Sequence, residues 1–584
     1  MKQWYVRGMT REQKIKFLQL KQNRKIALDD YTLKYLILEG YDTVEKIYNH
    51  LYFKEKDIPS ITLAKDADKF VNRLIYSLSR KDDVITMVSD YDTDGINSAA
   101  IFIQAMDKVY KKVNLVIPHR IEEGYGLSIP VVDRVLKEFP DTKLIVTADN
   151  GIVAFEAVDY ANSLGIDVII SDHHEPSEDG KIPNALAVVD PKRLDDDYPF
   201  KDLCGAGLIF KLVYHFYKMG GVASVDMLRP YLAYVACATV GDLVPLTSEN
   251  RYYVKEGIKV INNGTVPCFN TLNHLTESKG VDEETIGFKY SPIMNAIGRI
   301  EGDAKPVVEF LIEQNNDKSL KMCEDLIAYN TKRKDLCSAQ ENIALKAAQN
   351  EDKVIVLYSK DFHEGIVGII AGKVKEAKNR PTFILTDSST PGLIKGSARS
   401  IKGFNLKRAL DMNAHLLEKY GGHELAAGLT LKKENLAKFK KAMDDLLDDK
   451  NFFNQEEEKI TVDFLLKEED INSSLIDTLT KFLKPFGQGF DKPKIAIRDF
   501  QTIDIVGMPL SAAEDDKKHL KLCGKKVDII CFNGYQQWKS DGGSTNIKCI
   551  GFPSVNFFKG KPRYQFNVES PENIRDNNLM NGKN

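Results

Sequence analysis

Two stretches of alternating strand-like and helix-like segments, followed by a run of short β-like segments, predict a multidomain α/β protein that ends in a small β-barrel. Over residues 81–300 short β-branched runs alternate with longer amphipathic segments, the pattern of βαβ units around a mostly parallel sheet, and a second α/β pattern follows over 354–450. The segment between them, 301–353, has neither Gly nor Pro after Pro306 and repeats apolar residues every three or four positions. It reads as one long connecting helix, or two broken near Asn315–Asp317, able to join two α/β halves around a cleft.

The remaining elements follow in order. Residues 1–80 read as helical, with apolar residues at helical spacing over Leu28–Ile58 and an interruption at Gly40. Four runs inside 81–300 are nearly continuous in apolar residues: VITMVSD ending at Asp90, LIVTAD at Asp149, VIISD at Asp172 and LAVVD at Asp190. Such runs suit strands covered on both faces, and each ends in aspartate. The second α/β stretch opens with VIVLY and closes with a charge-rich helical segment before a polar linker at 451–459. Residues 460–570 carry the barrel signal, short β-like runs punctuated by Gly, Asn, Asp and Lys, and 571–584 form a polar tail.

Composition narrows the function. With 584 residues the chain has room for about three or four domains. It is 43% hydrophobic and 28% charged, which fits folded domains and argues against disorder. One of the longest uncharged stretches, Tyr231–Gly241, is too short to span a bilayer, and the charged N-terminus has no apolar signal core. Eight scattered cysteines without a CxxC pair suggest neither a zinc ribbon nor a disulfide framework, so the chain reads as reduced and cytoplasmic. A balance of 81 basic against 84 acidic residues means that any anionic substrate must be met by a local basic surface.

The chemistry concentrates in Ser89-Asp90-Tyr91-Asp92-Thr93-Asp94-Gly95, where three alternating carboxylates follow a strand and precede a helix. Alternate residues share a side, and carboxylates gathered there repel unless cations neutralise them. Hard oxygen ligands suit Mg²⁺ or Mn²⁺. A solvated Asp/Gly turn is the plain alternative; an EF-hand would need a helix, not a strand, before the loop. Asp149, ahead of Asn150-Gly151, and Asp172-His173-His174 lie at further strand ends, where open parallel sheets bind ligands. Asp242, in TVGDLVP, is a fourth candidate, with helix capping as its alternative. Asp and His without Cys favour a hydrolytic two-metal centre over a structural site.

In this order DYDTDG, TADNG, SDHH and GDLVPL resemble the four motifs of the DHH phosphoesterase superfamily, and the chain is most similar to its RecJ type over most of its length. Pro118-His119-Arg120 with Glu123-Gly124-Tyr125-Gly126 resembles the P-x-R…GYG element, and Asn295–Arg299 the N-A-x-G-R element. A DHHA1-like half shows in His363–Gly368, Lys395–Ser400 and Gly421-Gly422-His423, and Leu483–Gly487 opens a part similar to the family's OB-like domain. Glu364 stands where Pro is common, and Phe490-Asp491 where Asn-Pro is usual.

The resemblance implies roles for individual residues. Asp92 and Asp149 would bind one metal ion, and Asp94, Asp149, His173 and Asp242 the other, with Asp149 bridging. Asp90 and His174 would act beside them in catalysis, orienting ligands or touching the phosphate, with His423 as a further catalytic candidate. Arg120, Ser397 and Arg399 would hold the 5′ phosphate and Arg299 another substrate contact, since guanidinium forks pair with phosphate oxygens. The implied activity is a 5′→3′ exonuclease that degrades single-stranded DNA to mononucleotides with two divalent ions, Mn²⁺ or Mg²⁺, in repair or recombination. It would act as a monomer away from membranes, with a single-strand-binding protein or a helicase as partner. Other DHH activities, on short oligonucleotides or cyclic dinucleotides, resemble the chain only in the DHH and DHHA1 parts; an inactive replication scaffold would have lost ligands that are present here. Residues 481–494, with lysines among three aromatics, fit either a strand-binding surface or a loop with buried Phe. His50 and His215 read as ordinary structural histidines.

Overall fold

The computed structural model describes residues 4–80, 82–109, 111–221, 223–351, 353–453, 459–509, 516–558 and 561–576. The chain divides into two compact units, one of residues 59–244 and 253–457, the other of 1–58, 245–252 and 458–584.

The first unit holds both α/β sheets. Its first sheet has five strands, β1 (Val84–Ser89), β2 (Val113–Val116), β3 (Thr142–Ala148), β4 (Asp167–Ser171) and β5 (Ala187–Val189), in the order β2-β1-β3-β4-β5. All four pairings are parallel. The apolar runs read from the sequence are therefore strands, and they are apolar throughout because both faces are covered. Helices α3 (Ile129–Glu138) and α4 (Phe155–Ser163) close one face around Val88, Ile145 and Val168. Helices α1 (Ala67–Leu78) and α2 (Thr93–Lys108) pack with α5 (Gly205–Gly220), and α2 also with α6 (Leu232–Gly241). The strand order reverses between β1 and β3, which sets a crevice at the carboxyl ends of those two strands.

A short helix, α7 (Ala296–Ile300), leads to α8 (Lys305–Ile312) and then to the 32-residue α9 (Asn316–Ala347). The break falls at Glu313–Asn315, where Asn315 caps α9 by accepting a hydrogen bond from the Lys318 amide. The second sheet comprises β6 (Ile355–Tyr358), β7 (Thr382–Asp387), β8 (Leu393–Arg399), β9 (Leu417–Gly422) and β10 (Ala426–Lys432), in the order β9-β10-β8-β7-β6. Only β6 and β7 pair in parallel. Helix α10 (Val367–Lys378) packs on β7, β8 and α9, whereas α11 (Leu436–Asp448) contributes Phe439 and Met443 to the core on the sheet's other side.

The second unit joins the two ends of the chain. A mixed eight-stranded sheet runs over residues 464–576, and the helices Arg11–Lys21, Asp30–Leu38 and Val44–Tyr52 share its core through Leu20, Leu33, Tyr35, Ile37 and Ile47. Residues Trp4–Val6, read as part of a helical region, instead form a strand parallel to Ile460–Val462. Of the aromatics in 481–494, Phe486 and Phe490 are buried and stack on each other at 5.6 Å. The structure thus takes the plain alternative for that segment, with Phe482 alone partly exposed. His50 stacks on Tyr41 and Phe490 within the same core. His215, in the first unit, sits 2.8 Å from Asp68.

Candidate metal centre

The acidic ends of three of the four strands singled out from the sequence come together. Asp90 follows β1, Asp149 follows β3, and Asp172-His173-His174 follows β4. Asp92 is the N-cap of α2, its carboxylate accepting from the amides of Asp94 and Gly95 at 2.9 and 3.3 Å. Asp94, in the first turn of α2, points across to the start of α5 and accepts from Gly205 and Ala206 at 2.6 and 2.7 Å. Helix α5 can come that near because its first residue is glycine; a Cβ on Gly205 would lie 2.8 Å from the Asp149 Cβ. Asp242 caps the C-terminus of α6.

Asp149 adopts the left-handed backbone (φ 62°), a conformation that aspartate tolerates at a cost and that turns its side chain away from the strand. There its Oδ1 lies 2.9 Å from His173 Nε2, which also lies 3.4 Å from Asp94 Oδ2 and 3.7 Å from Asp242 Oδ2. Asn150 secures the turn, donating to the carbonyls of Val88 and Ala148 and accepting from the Leu127 amide. Potential ligand atoms of Asp90, Asp92 and Asp149 fall within 4.8 Å of one another, as do those of Asp94, His173 and Asp242, and of Asp149, His173 and His174.

The electrostatics are those of an anionic site out of water. Burial, then the charge of Asp92, raises the Asp94 carboxyl to about 7, and burial, then Asp94, raises Asp242 to about 7. Asp90 and Asp149 are pushed well up, first by burial and then by their acidic neighbours. Burial lowers His173, which keeps its imidazole neutral and able to act as a ligand. Asp90 Oδ1 and His173 Nδ1 are buried with no hydrogen-bond partner among the described residues. Crowded carboxylates, a neutral imidazole and an orphaned buried oxygen fit divalent cations such as Mn²⁺ or Mg²⁺.

Asp172 is different, and sequence reasoning gave it no role. It accepts from Ile152 N (2.9 Å), His173 N (2.8 Å), His174 N (3.2 Å) and His174 Nδ1 (2.8 Å). Although burial opposes ionisation, these bonds, led by that to His174, hold its carboxyl below the ordinary range. In return Asp172 outweighs the burial of His174 and raises that imidazole to about 9. Tyr125 OH donates to the Asp149 carbonyl at 2.9 Å and lies 3.1 Å from His174 Nδ1. The signal for Asp172 was its place in the SDHH run, where a carboxylate one residue before two histidines can fix both. The Gly205 and Ala206 amides left no signal, being 111 and 112 residues from the carboxylate they bind.

Arg120 and Arg299 lie near enough to this centre to interact with Asp90 and Asp92 respectively. Arg120 stacks over Tyr91, its Cζ 4.6 Å from the ring centroid. Burial, then the charges of Arg120 and Arg333, lowers the Arg299 guanidinium to about 10. The second sheet meets this region closely: a Cβ on Gly365 would sit 1.8 Å from the Arg299 carbonyl oxygen, so no larger residue fits. Ser397 and Arg399 alternate on β8 and share a face. Gly368, at the start of α10, packs on both; a Cβ there would lie 3.4 Å from Ser397 Oγ and 3.2 Å from Arg399 Nη2. Glu364, the departure from proline, pairs with Lys395 on the same strand as Ser397. Among the described residues no hydrogen bond or ion pair joins Arg120 to Ser397 or Arg399. His423 lies exposed between β9 and β10, and among the described residues no hydrogen bond or ion pair joins its side chain to the carboxylates.

Comparison with known proteins gives the same three parts. Family models match residues 84–239 (DHH family, N-terminal domain), 351–449 (DHHA1 domain) and 462–570 (RecJ OB domain). The single-stranded-DNA-specific exonuclease RecJ of Bacillus subtilis strain 168 is 29% identical over 547 residues, covering 91% of this chain and 67% of that protein. RecJ of Dickeya dadantii strain 3937 is 30% identical over 518 residues, covering 83% of this chain and 87% of its own length. The crystal structure of Thermus thermophilus RecJ in complex with Mn²⁺ superposes with a TM-score of 0.78 at 22% identity, covering 98% of this chain and 79% of that one. The chain belongs to the DHH family and, within it, to the RecJ exonucleases.

Proposed function

We propose that this chain is a single-strand-specific DNA exonuclease that hydrolyses phosphodiester bonds from the 5′ end with two divalent ions, releasing mononucleotides during repair or recombination. The observation that carries the reading is the convergence of Asp90, Asp92, Asp94, Asp149, His173 and Asp242 at the ends of three strands and two helices, in the family whose relatives are named for this activity.

Divalent ions bound there would supply Lewis acidity toward a phosphoryl oxygen and a more acidic water. The protein does the rest. Asp92 and Asp149 would hold one ion, and Asp94, His173 and Asp242 the other, with Asp149 shared; the position of Asp149, 2.9 Å from His173, supports that division. Asp172 fixes His174 and keeps it protonated at neutral pH, so that His174 offers a proton and a positive charge to the phosphate or the leaving oxygen. Asp90, buried with one oxygen unpartnered, completes the charge on the β1 side. Arg120, Ser397 and Arg399 would grip the 5′ phosphate and so set where cleavage falls, with Arg299 on a further phosphate. His423, exposed on its hairpin, would approach the nucleotide only once substrate is bound. The same reading makes the enzyme a cytoplasmic monomer that meets strands opened by a helicase or covered by a single-strand-binding protein.

A 5′-phosphorylated single strand labelled at its 3′ end, incubated with Mn²⁺, tests this. A ladder that shortens one nucleotide at a time with the label retained is the expected result. Asp149→Ala should give no ladder while melting as a folded protein. A ladder from Asp149→Ala equal to that of the wild type would remove the two-ion mechanism, and loss of label in the first step would reverse the polarity.

A further inference from the structure

The carboxylate centre has a counterpart of opposite sign. Three segments meet just after Arg299. The Arg120 amide donates to the Gly302 carbonyl at 2.9 Å, and His119 packs so tightly on Gly302 that a Cβ there would lie 2.0 Å from its ring. From the other side Lys332, on α9, pairs with Glu301 at 3.0 Å, and α7 packs on α9. Arg120 and Arg333 are thus both anchored, through a neighbouring residue or their own backbone, to the two residues that follow α7, the helix that carries Arg299.

None of Arg120, Arg299 and Arg333 pairs with a carboxylate among the described residues. Arg333 is held instead by a neutral group: its Nε and Nη2 donate to Asn330 Oδ1 at 3.1 and 2.9 Å, and Asn330 is itself buried. This fixes the guanidinium plane and leaves Nη1 available for another acceptor. Like charges gathered without a paired carboxylate are as costly for guanidinium groups as for carboxylates, and Arg299, lowered first by its burial and then by the charges of Arg120 and Arg333, bears that cost.

We infer that Arg333, on the connecting helix, is a substrate-positioning residue, and that with Arg299 and Arg120 it forms a site for one backbone phosphate of the single strand. The inference rests on the exonuclease reading above and adds to it a contact from α9, a helix that would otherwise only connect the two sheets. Asn330 serves this site by presetting the Arg333 fork.

Binding read against salt separates a phosphate contact from a merely structural arginine. Each phosphate contact to a single strand contributes about 0.7 to the slope of log K against log salt. With a 5′-phosphorylated 15-mer of thymidylate in EDTA, followed by fluorescence anisotropy over 25–200 mM KCl, Arg333→Gln should flatten the slope by about 0.7. It should also weaken binding about tenfold at low salt. Lys332→Ala, which removes an adjacent charge already paired with Glu301, should leave the slope unchanged. A wild type that binds, with an Arg333→Gln slope equal to its own, overturns the role of Arg333 and leaves the exonuclease reading standing. A wild type that neither binds nor cleaves the strand overturns that reading and this one with it. Should Arg333→Gln fail to fold, arginine labelling of the wild type by phenylglyoxal decides. The 15-mer should protect Arg333 but not Arg229, and an unprotected Arg333 refutes the inference.

Discussion

Asp242→Asn should make the metal-free protein more stable, although it removes a proposed ligand. Asp242 makes no side-chain hydrogen bond among the described residues, and its ion-pair contact there is with His173 Nε2 at 3.7 Å. Burial, then Asp94, lifts its carboxyl from an ordinary 3.8 to about 7. Forcing such a group to ionise in the folded state costs about 4 kcal/mol at most, at about 1.4 kcal/mol per pH unit. Its side chain is 24% exposed and shares its proton balance with Asp94, so about 2–3 kcal/mol is the working figure. For a unit of this size that is roughly 3–6 °C in melting temperature.

The pH dependence gives the prediction its sign. Below about pH 4 the carboxyl is protonated whether the chain is folded or not, and the substitution changes little. From about pH 4 to 7 the unfolded chain releases this proton first, so the wild type loses stability as pH rises, and above about pH 7 the whole penalty is present. Thermal melts in EDTA at steps from pH 4.5 to 8 should therefore show Asp242→Asn drawing ahead of the wild type until about pH 7 and then running parallel. Manganese at a hundred times its dissociation constant should return about 2.7 kcal/mol to the wild type and less to the variant. A gap that is absent, or constant from pH 4.5 to 8, would show that the carboxylates do not repel as the geometry requires.

Two further outcomes follow from the same site. Asp172→Asn should drop the His174 imidazole from about 9 toward 6.5 in a histidine proton titration and reduce cleavage at pH 8 by about 10–100-fold, and it should also lower the melting temperature, since an amide NH2 replaces one of two buried accepting oxygens; an unmoved titration would mean that Asp172 does not set His174. Arg399→Ala should cut the preference for a 5′-phosphorylated over a 5′-hydroxyl strand by about tenfold, measured as a ratio of kcat/KM values, while a uniform loss on both strands would place Arg399 elsewhere on the substrate.

The strands and their acid ends were legible because each is local. A continuous apolar run that stops at aspartate states both its burial and the place where the chain meets a ligand, and four such runs became four neighbouring parallel strands. The carboxylate set was legible for the same reason. The supports of the site were not, since they come from pairings across long separations: Asp94 with the α5 amides, Arg299 with Gly365, Arg120 with Gly302. The Phe-rich loop at 481–494 shows the converse limit. Its composition suits stacking on bases or on other side chains, and neighbours such as Tyr35, Tyr41 and His50, over four hundred residues earlier, commit Phe490 to the core.

Acidic and basic clusters built on one crevice should collapse into salt bridges, and they do not. Four of the charges are restrained by neutral partners: Asp92 by the amides of α2, Asp94 by those of α5, Arg333 by Asn330, and Arg120 by the Tyr91 ring. Tyr91 stands between Asp90 and Asp92 in sequence, so the ring that seats Arg120 belongs to the same loop as two of the acids. Without it Arg120 is free to fall onto Asp90, whose carboxyl already feels its charge. An arginine there would compete with the cations the acids are arranged to take. Tyr91→Ala should therefore raise the manganese concentration needed for half-maximal cleavage several-fold, while Tyr91→Phe, which keeps the ring, should not. If both variants matched the wild type in their manganese requirement, the separation of the two clusters would have to come from the backbone anchors of Arg120 alone, through its amide on Gly302.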